Sequence, residues 1–293
     1  MERFKMSPCD FSGGGACAFV SRPGFLDVSG RGDDLTVQIC KTCGIGVTHP
    51  LMDDVSPLYA DRNTVNFQPN AVGLGRFIKT FFYKAQARRL LGKIQPRPRR
   101  LIDYGCGGGL LTRMLGDSLG ADQVIGVDYH DAPPPELSDR PYLSYAAFAA
   151  AKPQADVLIA FHVLEHAASP ATLLAQMASA MKPGTVLVIE VPHIGCVFAN
   201  WFGRYWGLWA TPYHRFHFSR ESLGHLLTTG GFDIFEMCDV SLPTMGHTLA
   251  NRVGRQNTLL FLLAGAALHP FQMLVEKLTG QPSGLRVFAR KRG

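Results

Sequence analysis

The hydrophobic positions change rhythm at the run "QPRPRR" (95–100). Ahead of it, Gly75–Ile94, "GRFIKTFFYKAQARRLLGKI", repeats apolar residues at helical spacing, with Phe77, Phe81, Ala85 and Leu90 near one face. The prolines stop this helix, because proline cannot continue one and restricts the residue before it. Beyond the break, short apolar runs alternate with amphipathic stretches. The runs predict strands at Leu101–Tyr104, Gln123–Asp128, Val157–Phe161, Thr185–Val191, Phe232–Asp239 and Leu285–Arg290. Helices are predicted at Leu110–Leu119, Pro170–Met181 and Arg220–Thr229, the last with Ser219 as its N-cap and Gly230-Gly231 at its end. Strands alternating with helices imply an α/β sheet of parallel strands with helices on both faces. Residues 257–278, "NTLLFLLAGAALHPFQMLVEKL", read as an apolar helix broken near Pro270.

Composition narrows the function classes. A chain of 293 residues can bury one large core or two small ones. The balance of 29 Lys+Arg against 23 Asp+Glu gives +6, too mild and scattered to argue for nucleic acid. The basic clusters at Arg97, Arg99 and Arg100, and at Arg290, Lys291 and Arg292, read as solvated linker and tail. The N-terminus "MERFKMSPCD" has no apolar signal-peptide core. The longest apolar run, Leu259–Leu268, is shorter than the ~20 residues of a membrane span. Seven cysteines, an odd number, suit a reducing compartment, so the expected location is cytoplasmic.

Four cysteines fall early, at Cys9, Cys17, Cys40 and Cys43. In "CKTCGIG" the glycine after Cys43 lets the backbone turn toward a bound ion, and four thiolates would satisfy tetrahedral zinc. The first pair is irregularly spaced, so a structural zinc stands beside a reduced, metal-free remnant.

The sharpest signal is "LIDYGCGGGLLTRML". A buried strand ends near Asp103, then Gly105, Gly107 and Gly109 alternate before a helix. Glycines there let the backbone approach a ligand, and the helix N-terminus behind them offers unpaired N–H groups. A dinucleotide fingerprint needs a glycine where Leu110 stands, so the pattern is instead D-x-G-x-G-x-G. The next strand ends in Asp128, placed to accept hydrogen bonds from ribose hydroxyls.

These residues, with "DVLIAFHVLEH" (156–166) and "MKPGTVLVIEVPH" (181–193), resemble the class I S-adenosylmethionine-dependent methyltransferases. The resemblance implies a Rossmann-like sheet of seven strands, the last antiparallel, and transfer of a sulfonium methyl group. It implies that Asp103 and the glycines hold the methionine end and Asp128 the ribose, with Tyr129, Phe161 and His162 completing the cofactor site. An acid that the family often places beside adenine is missing, which leaves backbone and apolar contacts around Ala147 and Phe148. The early cysteines resemble a zinc-ribbon-like leader of bacterial members associated with sugar and small-molecule tailoring. The expected division is a leader over 1–60 and a methyltransferase domain over 70–293, with an apolar helical insertion at about 245–280.

"FHVLEH" runs straight off the fourth predicted strand. His162, Glu165 and His166 match H-x-x-E-H of some zinc proteases, but that chemistry needs the motif within a helix. Some quinone-type O-methyltransferases carry an acid where His162 stands, which would shift a divalent ion here toward a nitrogen-tolerant metal. Alternatively His166 is a general base, since imidazole titrates near neutrality, or merely bonds within its loop.

The segment 201–218, "WFGRYWGLWATPYHRFHF", holds all three tryptophans with almost no helix or strand rhythm. It precedes the helix at Arg220, and ligands in such folds bind at the carboxyl ends of the strands. Trp201, Trp206, Trp209, Tyr213, His214 and His217 therefore fit a substrate wall, with about half of the rings in the core, and His214 is a second candidate base. The sequence points to methyl transfer onto a small hydroxylated metabolite or sugar. An RNA or protein methyltransferase and a catalytically lapsed scaffold are the alternatives. The 257–278 helix is expected to pack on its own domain or a partner subunit, with a peripheral membrane contact as its rival.

Overall fold

The computed structural model describes residues 18–52 apart from Arg31 and Asp33, then 73–255 and 258–293. Cys9 and Cys17 lie outside these residues.

A long helix, α1 (Gly73–Lys93), leads into strand β4 (Leu101–Tyr104), helix α2 (Leu110–Leu119), β5 (Val124–Asp128), β6 (Tyr142–Ser144) and helix α3 (Tyr145–Ala151). Then follow β7 (Val157–Phe161), α4 (Pro170–Ser179), β8 (Val186–Pro192), α5 (Val197–Phe202), β9 (Phe216–His217) and α6 (Arg220–Thr229). The chain ends with β10 (Phe232–Val240), α7 (Met245–Arg252), α8 (Leu259–Thr279) and β11 (Gly284–Lys291). Seven strands form one sheet in the order β10-β11-β8-β7-β4-β5-β6. The run from β8 to β6 is parallel, whereas β11 is antiparallel to both β8 and β10.

Strand alternation divides this sheet between two cores, as the two-residue period requires. Leu101, Val157, Ile159, Val186, Val188 and Phe288 face α1 and α2. On the other side Ile102, Leu158, Leu187, Ile189 and Val287 pack with Leu174 of α4 and Leu223 and Leu227 of α6. Each fully buried aliphatic side chain stabilises by roughly 1.5–3 kcal/mol.

Strands β1 (Phe19–Phe25), β2 (Leu35–Cys40) and β3 (Gly46–His49) form a second, antiparallel sheet. Its fourth strand is β9, drawn from the aromatic segment, with Gly46 opposite His217 and Val47 opposite Phe216. Cys40 ends β2 and Cys43 sits in the turn that follows, both buried.

Three expectations need correction. Helix α1 buries Ala87, Leu90 and Leu91, with Ile94 buried just past its end, while Phe77 and Phe81 are 72% and 67% exposed. Only the second half of this 21-residue helix lies over the sheet, so the inner stripe is set there. Helix α8 runs unbroken through Pro270. The hydrogen bond lost at Pro270 falls on the helix's exposed side, where solvent can reach the carbonyl of Ala266. Finally, Phe148 is buried edge-on to Tyr104 at 5.1 Å, so it is core rather than an adenine contact.

Candidate functional site

The glycine loop leaves β4 and is tied to the tip of β5 by backbone groups. Gly105 N–H and Cys106 N–H both donate to the Val127 carbonyl, at 2.7 and 3.0 Å. Gly105 has φ +80°, and a Cβ there would collide with Val163. Gly107 has φ +54° with nothing within 4 Å of a would-be Cβ, so backbone is open to a ligand at that point. Gly109, also at positive φ, is the N-cap of α2. Asp128 accepts from Gly107 N–H at 2.6 Å and from Tyr129 N–H at 2.7 Å, and the Tyr129 ring beside it is exposed.

Asp103 is buried and accepts from Thr112 Oγ1 at 2.6 Å. Burial raises its pKa to about 7, reinforced by Asp128 and opposed by the threonine hydrogen bond. Tyr83, on the inner side of α1, is also raised, by burial and then by the charges of Asp103 and Glu190. Helix α1 thus sets a phenol within range of the charges of Asp103 and Glu190.

Past Phe161, the chain turns at His162, whose φ of +56° is unusual for a non-glycine and costs about 1 kcal/mol. The turn is held by His162 N–H donating to the Glu190 carbonyl at 2.9 Å. Its ring stands between two buried carboxylates, Nδ1 at 3.2 Å from Glu165 Oε1 and Nε2 at 3.4 Å from Glu190 Oε1. Burial would lower the His162 pKa, but the two carboxylates lift it to about 10, so the ring is cationic at neutrality. Glu190 also accepts from Arg286 Nε at 2.7 Å and from its Nη2, and that guanidinium lies over the Phe161 ring at 5.0 Å. Burial opposes ionisation of Glu190, yet His162 and Arg286 hold its carboxyl below the usual range.

His166 lies in the 3-10 turn Leu164–His166, with Nδ1 2.9 Å from the Tyr213 carbonyl. His214 meets it edge-on at 4.6 Å, with its own Nδ1 2.9 Å from the Leu208 carbonyl. A carbonyl only accepts, so each Nδ1 carries the proton and each Nε2 the basic lone pair. Burial lowers the His166 pKa and lowers that of His214 well below the ordinary value, so both are neutral at pH 7. Glu165, His166 and His214 bring one ligand atom each to within 4.8 Å of one another. The structure thus groups Glu165 and His166 with His214 as possible metal ligands, in place of the cationic His162.

The aromatic segment divides. Trp206 and Trp209 are core, packed with Phe25, Leu35 and Phe198, whereas Trp201 is 61% exposed. His217 is buried with Nε2 2.9 Å from Thr48 Oγ1, and burial pushes its pKa down to about 3. Thr48 Oγ1 also donates to the His214 carbonyl at 2.7 Å, so the small sheet braces the histidine cluster. Tyr83, Thr112, Glu190 and Arg286 were not singled out from sequence. Glu190 did leave a signal, as the one charged residue in the apolar strand "VLVIEVP".

A family model for the methyltransferase domain matches residues 77–236, more than half of the chain. The chain belongs to that family. It is a class I S-adenosylmethionine-dependent methyltransferase, with the loop, acid and sheet order described above. It is similar to the ubiquinone biosynthesis O-methyltransferase of Burkholderia thailandensis, 28% identical over 176 residues, which cover 54% of this chain and 73% of that one. The tRNA U34 carboxymethyltransferase of Methylococcus capsulatus is 33% identical over 182 residues, 54% of this chain and 52% of its own length. The methyltransferase thus spans about half of that relative, and only 41% of further ubiquinone biosynthesis O-methyltransferases. Its fold is that of the 1,6-didemethyltoxoflavin-N1-methyltransferase of Burkholderia thailandensis, solved with 1,6-didemethyltoxoflavin and S-adenosylhomocysteine. The TM-score is 0.51 at 17% identity, over 93% of this chain and all of that one.

Proposed function

We propose that the protein methylates a hydroxyl of a small organic acceptor, with His166 as the general base. The observation that carries this reading is the His166 ring, neutral, partly exposed and oriented by the Tyr213 carbonyl, one loop away from the glycine turn. Methyl transfer from a sulfonium is an in-line displacement in which positioning contributes most, and a hydroxyl acceptor must also lose its proton. His214, 7% exposed, backs His166 rather than meeting substrate. Asp103, Gly105, Gly107 and Gly109 hold the methionine end of the cofactor and Asp128 its ribose. Tyr129, Phe161 and His162 line the remainder. The O-methyltransferase name of the Burkholderia relative supports a hydroxyl acceptor.

The test is calorimetric titration with S-adenosylmethionine, followed by a screen of catechols, phenols and sugars with S-adenosylhomocysteine release as readout. Turnover on a hydroxylated acceptor that His166→Ala abolishes, with cofactor binding intact, supports the assignment. Turnover confined to an amine or carbon acceptor, or salt-sensitive binding and methylation of tRNA, overturns it.

A second reading rests on Glu165, whose Oε2 is buried without a hydrogen-bond partner among the described residues. We infer that Glu165, His166 and His214 can hold a divalent ion such as Zn²⁺ or Mn²⁺, given two neutral imidazoles and one carboxylate. That ion would act as a Lewis acid toward the acceptor oxygen. Metal analysis before and after chelation, with turnover followed in parallel, separates the two readings.

For the leader over 1–60 we propose a structural zinc on Cys9, Cys17, Cys40 and Cys43. Thr42 N–H donates to Cys40 Sγ at 3.4 Å, an arrangement that suits a thiolate ligand. Loss of zinc stoichiometry in a Cys40→Ser, Cys43→Ser variant is the expected result. Cysteine usage also leads us to assign the protein to the cytoplasm, which cell fractionation tests.

A further inference from the structure

Helix α8 carries its polarity inside out. Gln272 and Glu276, two polar residues of its C-terminal half, are buried against the domain, while Lys277 stays exposed. Gln272 Nε2 donates to the Leu242 carbonyl at 2.6 Å and to Glu276 Oε1 at 2.7 Å, while Gln272 Oε1 accepts from Thr244 N–H at 3.3 Å. The opposite face carries Leu260, Leu263, Phe271, Leu274 and Leu278, between 42% and 77% exposed. At 100° per residue these five fall within an arc of about 80°. A water-facing helix has the reverse arrangement, and a face this apolar marks an interaction surface.

Charge decides the occupant. Between residues 241 and 283 the only acid is Glu276, which is buried, whereas Arg252 and Arg255 precede the apolar face and Lys277 lies in its last turn. Arg252 and Arg204 both lie over the half-buried Tyr205 ring, at 4.9 and 5.1 Å. A second copy laid antiparallel on this face would set Lys277 against Arg252 and Arg255 of the other chain, and the stretch 241–283 offers no exposed acid to meet them. Isologous association needs a self-complementary face, and this one is not. An apolar strip with cations at both ends matches the interface of an anionic bilayer.

We propose that α8 is a monotopic docking helix, lying in the surface of an anionic lipid bilayer with Leu263 and Phe271 inserted and Arg252, Arg255 and Lys277 on the headgroups. The helix is 21 residues long and apolar enough to span a membrane. Its hydrogen bonds through Gln272 and its placement between β10 and β11 instead hold it flat on the domain. It also lies outside the matched family region, which ends at residue 236. Gly246 of α7 and Gly265 of α8 permit close crossing of the two helices, where a Cβ on either would strike the other's backbone.

The test is co-sedimentation of the full chain with phosphatidylcholine vesicles, with and without phosphatidylglycerol, at low and high salt. Tighter binding to the anionic vesicles by about tenfold or more is expected, at about 1 kcal/mol per cation near the surface, falling with salt. Leu263→Glu with Phe271→Glu should weaken it at least ~100-fold while leaving S-adenosylmethionine binding unchanged. Should that pair misfold, Leu274→Trp gives a direct reading, with quenching by brominated lipid expected. Failure of the wild-type chain to bind either vesicle, or an unquenched tryptophan, overturns the proposal. So does a dimer in light scattering that the Leu263→Glu, Phe271→Glu pair converts to monomer, since the occupant is then a second copy.

Discussion

The two sides of the cleft are made differently. On the proposed cofactor side, residues 103–129 form one strand–loop–helix–strand unit in which backbone groups make most of the loop's bonds. The acceptor side that we propose draws on side chains from six places: Tyr83, the loop 163–166, Glu190, His214, Arg286 and the bracing Thr48. A backbone-built site tolerates side-chain change except where a glycine or a charge is needed. A site of converging side chains fails one residue at a time, and each failure has its own signature.

The largest effect is expected at His166. Its replacement by alanine should lower kcat by about 10²–10⁴ with cofactor affinity unchanged. The base works deprotonated and its pKa is lowered by burial. The wild-type rate should therefore be level above the ordinary imidazole value of 6.5 and fall with a midpoint below it. A midpoint above 6.5 would be a contrary result.

Asp128→Ala comes next. Two charge-assisted bonds to ribose are worth about 1.5–3 kcal/mol each, and part is recovered through water, so a loss of roughly 10–100-fold in S-adenosylmethionine affinity should appear in calorimetry. An unchanged Kd would mean that the ribose lies elsewhere.

His162→Gln removes the cation between Glu165 and Glu190. Breaking a buried pair typically costs 3–5 kcal/mol, and because this ring is 38% exposed the expectation in urea denaturation is about 2 kcal/mol at pH 7. A raised pKa stabilises the fold fully below 6.5 and ceases to as pH rises through about 10, so the gap between wild type and variant should close in that window. A gap independent of pH would assign the residue a packing role only.

The smallest effect sharpens the comparison from the cofactor side. With a pKa of about 7, Asp103 is mostly protonated at pH 6, and a cationic methionine end favours its ionised form. Binding should release up to about one proton at pH 6 and almost none at pH 8.5, measured by calorimetry in buffers of different ionisation heat.

Legibility followed the same division. Local signals placed β4, α2, β7 and α6 at their observed ends, because glycine turns, caps and apolar runs are encoded within a few residues. The glycine loop and Asp128 were legible for that reason. Strand β6 and helix α3 were not among the predicted elements, since "LSYAAFAAA" carries neither period cleanly. The phase of α1 was misread because its exposed phenylalanines are the larger apolar residues. The true stripe is Ala87, Leu90 and Leu91, continued by Ile94 just past the helix end. His162 reads in sequence like His166, and only the placement of Glu190 and Arg286 across the sheet makes one a cation and the other neutral.

The pairing of β3 with β9 has an evolutionary consequence. Thr48 reaches across that seam to the His214 carbonyl and to His217, so the two parts of the chain cannot be inherited as interchangeable parts. Any ancestor that acquired or exchanged the leading strands would have altered the support of His214 and His217 in the same event. New acceptors could then arise by drift at residues far in sequence from the methyl group, with the cofactor loop left untouched.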